Sequence, residues 1–114
     1  FAQDSIADYW YPLGNGNMMN ILDNGIHLAH YTHIDEINKA FDLITYNGAK
    51  VMQLNDEYGI EQGKPANFIV LDAYDTYEAV RERADVLASI RSGEYLFRRA
   101  PRKNEVSHAL LEDI

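Results

Sequence analysis

The chain has 114 residues, 46% of them hydrophobic, which suits one ordinary domain with a modest core and excludes a disordered tract. Ten basic against eighteen acidic residues leave a net charge of −8, which repels phosphate backbones and anionic lipid, so neither nucleic acid nor a membrane is an expected partner. Without cysteine there are no disulfides or thiolates, and without a signal peptide or an apolar run of ~18 residues the expected setting is soluble and cytoplasmic.

The opening stretch, Phe-Ala-Gln-Asp-Ser-Ile-Ala-Asp-Tyr-Trp-Tyr-Pro-Leu-Gly, lacks an initiator methionine and crowds acids and aromatics into what is usually a loosely held place. Residues 1–6 read as the end of a buried strand, closed by a loop that holds Pro12, Gly14 and Gly16. Over residues 17–31 the apolar positions Met18, Leu22, Ile26 and Ala29 recur at helical steps, with Asn17 as N-cap. Gly25 weakens that helix by about 1 kcal/mol relative to alanine, tolerable where something packs closely against it.

Thr32 reads as the cap of a second helix, with Asp35 three residues on in the manner of a capping box and Ile34, Ile37, Phe41 and Ile44 as its apolar stripe. A short third helix is predicted over residues 47–54. Gly59, Gly63 and Pro65 then punctuate a turn into residues 67–72, whose continuous apolar run predicts a buried strand. Residues 74–83 read as a surface helix, and residues 86–91 and 94–99 as a hairpin around Ser92-Gly93. Beyond Pro101, Val106, Leu110 and Ile114 at steps of four leave room for a last helix.

Three patterns carry candidate chemistry. His27, His30 and His33 present imidazoles, good ligands for zinc or iron. Steps of three drift by about 60° around a helix, however, and the helix breaks near Thr32, which favours a solvated or interhelical row over a metal site. Gly14-Asn15-Gly16 precedes a helix but lacks the third glycine of a nucleotide fingerprint, so it reads as loop punctuation. Asp4 lies among apolar neighbours, where a buried carboxylate needs a cation, a metal or several donors; composition alone leaves a catalytic acid and a local cap both open.

Asp4, Trp10-Tyr11-Pro12-Leu13-Gly14, Asn17-Met18, Gly25-Ile26-His27, Ile37-Asn38, Leu43-Ile44-Thr45, Ala49-Lys50, Leu54, Tyr58-Gly59-Ile60, Gly63 and Ala66-Asn67 together form one pattern. It resembles the C-terminal part of the cytosine deaminases in the metal-dependent amidohydrolase superfamily. The resemblance weakens after Asp72, although Ser89-Ile90-Arg91-Ser92-Gly93 is similar to the family's late hairpin.

The resemblance implies an α/β fold, mixed α+β as an isolated piece. Residues 1–58 would be the last strand and helices of a (β/α)8 amidohydrolase barrel, and residues 59–114 the C-terminal part of the flanking β domain plus a tail, because a whole barrel takes ~250 residues. It implies that Asp4 binds a divalent metal, iron or zinc, and shuttles a proton from metal-activated water. Trp10 would wall the substrate pocket or pack its loop on the barrel rim. Ser5 holds the substrate-side position where the family's cytosine deaminases tend to show a second aspartate, and Ala2 and Gln3 stand where they show glycine and histidine. The implied reaction is deamination of a cyclic amidine such as cytosine, or of another pyrimidine or azine, by a homo-oligomer. The remaining ligands, a His-x-His pair and later histidines, would lie upstream of Phe1, so the 114-residue chain alone is expected to be inactive. The competing reading is a non-catalytic α/β module that uses an exposed helical face to dimerise or bind a partner.

Overall fold

The computed structural model describes residues 1–107. In chain order these form α1 (Met18–Leu28), α2 (Ile34–Lys39), a 3₁₀ turn (Ala40–Leu43), α3 (Tyr46–Val51), β1 (Phe68–Leu71), α4 (Thr76–Arg81), β2 (Val86–Arg91) and β3 (Glu94–Arg98). The helix expected around Val106, Leu110 and Ile114 lies largely outside the described residues; Val106 itself is in exposed coil.

α1 begins where its cap predicts. Asn17 is extended, and its side chain accepts from the Met19 backbone N–H at 3.0 Å, satisfying one orphan donor of the first turn. Met19, Leu22 and Ile26 form the buried face, one position along from the expected Met18. Asn17→Ala is expected to cost about 1 kcal/mol, read as a lower denaturant midpoint at unchanged slope. Gly25 meets its condition, because a Cβ there would lie 2.7 and 2.8 Å from Cδ2 and Cζ of the Phe1 ring.

The second helix starts one residue later than expected. His33 is its N-cap, and Glu36, not Asp35, closes the first turn by accepting from the His33 backbone N–H at 2.9 Å. Glutamate has the extra methylene that reaches back over three residues. Ile37, Phe41 and Ile44 pack inward as the stripe predicts, whereas Ile34 at the helix start is exposed.

The core is small: Leu22 and Ile26 of α1, Ala40 of the 3₁₀ turn and Val80 of α4, ringed by Tyr31, Ile37, Phe41, Leu43 and Ile44. α4, expected as a surface helix, also turns Ala79 inward; Asp75 caps it by accepting from Glu78 N–H at 2.8 Å. An ion pair from Arg83 Nε to Asp23 Oδ2 at 2.8 Å ties the end of α4 to α1.

β1, β2 and β3 form an antiparallel sheet in that order, with Phe68 opposite Ile90 and Ala88 opposite Arg98. Ser92 at φ 51° and Gly93 at φ 80° give the hairpin the left-handed two-residue turn its sequence predicts. Two strand expectations are corrected. Phe68, Ile69 and Val70 of β1 are exposed rather than buried: the apolar run fixes strand type without supplying an element to cover the face of the sheet. Residues 1–6 form no strand: they lie beside no ladder, and their backbone is tied instead by Phe1 N donating to Leu43 O at 2.8 Å. Among the described residues no helix is long and apolar enough to cross a membrane.

Candidate functional site

The segment that carries Asp4 is set by the loop behind it. Ala7 N donates to Gly14 O at 2.7 Å and Gly14 N to Tyr11 O at 3.3 Å, so residues 7–14 close on themselves. Ala7 enters this loop at φ 48°, a left-handed conformation that alanine adopts only under constraint. Gly14 is buried at the closure: a Cβ there would run into the Ser5 carbonyl oxygen and lie 2.8 Å from Gln3 Nε2. The absence of a side chain at Gly14 therefore lets residues 3–5 lie against the loop.

Asp4 is exposed, which corrects the expectation of a buried carboxylate; with no strand at residues 1–6 there is no interior for it to enter. Its hydrogen bond comes from Ser5 Oγ to Oδ1 at 3.4 Å, long enough to leave the carboxylate open to other ligands. Trp10 is 89% exposed, with Tyr9 edge-on at 6.3 Å between ring centroids. Asp4 and Trp10 thus share one loop system and are both exposed, with Ser5 half-buried.

Asp8 was not singled out by sequence reasoning, yet it organises the loop. Its Oδ1 accepts from Tyr11 N at 2.8 Å and from Trp10 N at 2.9 Å. The Tyr11 N–H, then the Ser5 hydroxyl, hold this carboxyl below the usual carboxylate range. The available signal was local: an aspartate whose side chain reaches backbone N–H groups two and three residues on, just before Pro12.

The histidine row does not assemble. His27 Nδ1 lies 2.7 Å from the Asp23 carbonyl oxygen, His30 sits between helices at φ 53°, and His33 caps α2. Gly14-Asn15-Gly16 is loop, with Asn15 Oδ1 accepting from Asn17 N at 2.9 Å and Gly16 at φ 73°. Among the described residues no three His, Cys, Asp or Glu side chains come together as a metal site. A catalytic transition metal wants three or more protein ligands, so the donor chemistry of Asp4 suits a divalent ion but the described residues do not hold one by themselves.

The 5-methylcytosine deaminase from Klebsiella pneumoniae, solved liganded with 5-fluorocytosine, matches this chain at 47% identity and TM-score 0.87, covering 93% of this chain and 26% of that one. The same enzyme liganded with phosphonocytosine matches at TM-score 0.86 over the same shares. N-isopropylammelide isopropyl amidohydrolase of Pseudomonas sp. (strain ADP) is 34% identical over 96 residues, covering 83% of this chain and 24% of that protein. The chain thus spans about a quarter of the length of these relatives. The amidohydrolase family profile matches residues 1–97, past Asp72 where the residue-level resemblance weakens and on into β3. A match that runs from the Asp4 loop through the helical core to the sheet leaves one assignment: the chain belongs to the amidohydrolase family.

Proposed function

We propose that this chain is the C-terminal portion of a hydrolytic deaminase acting on a cytosine-type pyrimidine, with Asp4 as its catalytic carboxylate. The observation that carries the reading is 47% identity at TM-score 0.87, over 93% of the chain, to a deaminase whose structure holds 5-fluorocytosine. Residues 1–58 are then the end of the barrel and residues 59–114 the closing part of the small β domain, joined through the core of Leu22, Ile26, Ala40 and Val80.

In this reading Asp4, open to solvent but for the Ser5 hydroxyl, takes a proton from the attacking water and returns it to the amine that leaves as ammonia. It would also contribute one ligand to a divalent metal, iron or zinc, which would activate the attacking water; the other ligands would come from beyond the described residues. Trp10 walls the pyrimidine site, and Ser5 faces the ring. The competing reading, a dimerisation or partner-binding module, draws on the apolar groove lined by Phe1, Ala2, Met18, Ile44, Val51 and Met52. In the deaminase reading the rest of the protein, or a second subunit of a homo-oligomer, covers that groove.

The test is ammonia release from cytosine and 5-methylcytosine by the protein expressed from its whole reading frame, beside the 114-residue chain alone. The longer protein is expected to turn over and the chain alone to release none. A reading frame without an upstream His-x-His pair, or equal turnover by the short chain, sinks the proposal.

A further inference from the structure

We infer that Asp8 is a positioning residue for substrate binding, holding Trp10 in place through the loop backbone; this rests on the deaminase reading above. Among the described residues Trp10 has little else to hold it. It is 89% exposed, and its aromatic neighbour is Tyr9, itself 95% exposed. An indole so placed keeps one orientation only if its backbone does.

Asp8 supplies that restraint. One carboxylate oxygen accepts from the N–H groups of both Trp10 and Tyr11, at 2.9 and 2.8 Å, so the peptide planes on either side of the Trp10 Cα are anchored to the same atom. Hydrogen bonds to an ionised acceptor are shorter and stronger than neutral ones. The direction of its titration agrees, since these donors favour the charged form. The preceding residue, Ala7, is itself pinned to Gly14 O at 2.7 Å, so Asp8 works from a fixed base. Asp8 touches no reacting atom: its role is exercised through Trp10, and a loosened Trp10 weakens binding of the planar ring without altering proton transfer at Asp4.

The experiment compares Asp8→Ala with Asp8→Asn in the full-length protein. Asparagine keeps the Oδ1 acceptor, so it is the conservative rescue. With 5-fluorotryptophan incorporated, the Trp10 resonance is assigned by its loss in Trp10→Phe. Asp8→Ala is expected to shift and narrow that resonance, and Asp8→Asn to leave it near its original position. In steady-state kinetics Asp8→Ala is expected to raise KM for cytosine about tenfold with kcat within about twofold, the pattern of lost uniform binding. Asp8→Asn is expected to restore KM.

An unchanged Trp10 resonance in Asp8→Ala overturns the inference. So does a shifted resonance with unchanged KM, which separates Trp10 from substrate, and so does a fall in kcat alone. The deaminase reading fails on a different result, the absence of turnover in the unsubstituted protein, and the Trp10 resonance still decides whether Asp8 holds the indole. The core of Leu22, Ile26, Ala40 and Val80 does not include this loop, and a thermal melt of each variant checks that it is folded before the resonance is read.

Discussion

Asp4→Asn in the full-length protein is expected to lower kcat for cytosine deamination by about 10³-fold, within the range that general acid–base groups contribute. The substitution keeps the shape of the side chain and replaces an oxygen that accepts a proton with an amide that does not. In the proposed reading it also removes one metal ligand, so metal content per chain is expected to fall in parallel. Thermal stability of the metal-free protein is expected to stay unchanged, because among the described residues Asp4 is exposed and its hydrogen bond to Ser5 Oγ is long, 3.4 Å. Stability is therefore compared after chelation, which removes the contribution of bound metal. Turnover within tenfold of the unsubstituted protein removes Asp4 from the mechanism.

The role proposed for Asp4 is legible only through family resemblance, for a physical reason. Its neighbours Ala2, Gln3 and Ser5 look like a strand end in isolation, but a strand exists only with a partner ladder, and none of the described strands lies beside residues 1–6. The same long-range dependence explains β1. Phe68, Ile69 and Val70 specify an extended apolar segment, and whether that segment is covered depends on elements far along the chain. What short-range chemistry decides was readable in advance. Asn17 caps α1 through an atom two residues away, and Ser92-Gly93 makes a two-residue turn because both positions take positive φ. Glu36 capturing the His33 N–H shows the limit of such rules, since Asp35 satisfies the same motif one position earlier. Asp8 is the opposite case: its bonds to Trp10 and Tyr11 are as local as a helix cap, so its role in the loop is of the kind short-range chemistry decides.

Gly14 offers a way to move Asp4 without touching it. Its φ lies outside the left-handed region, so alanine there meets no backbone penalty, and the effect of Gly14→Ala is purely steric. The new Cβ would collide with the Ser5 carbonyl oxygen and lie 2.8 Å from Gln3 Nε2. Backbone cannot rotate away as a side-chain tip does, so residues 3–5 must shift, and Asp4 is the residue between the two contacts. A displacement of about 1 Å at a reacting group costs about 10²-fold, so kcat of the Gly14→Ala full-length protein is expected to fall by that factor. Gly16, two residues on, provides the control. It sits at φ +73° and its added Cβ would meet only the Ile6 side chain, at 3.3 Å from Cδ1. Gly16→Ala therefore carries a left-handed strain of about 1–2 kcal/mol, which lowers Tm, but pushes no backbone next to Asp4. The expected signature is a crossed pair: Gly14→Ala loses turnover, whereas Gly16→Ala loses melting temperature and keeps kcat. Equal losses of kcat in the two variants would mean that the loop responds to strain in general, and that the close packing of Gly14 on Ser5 does not set the position of the Asp4 carboxylate.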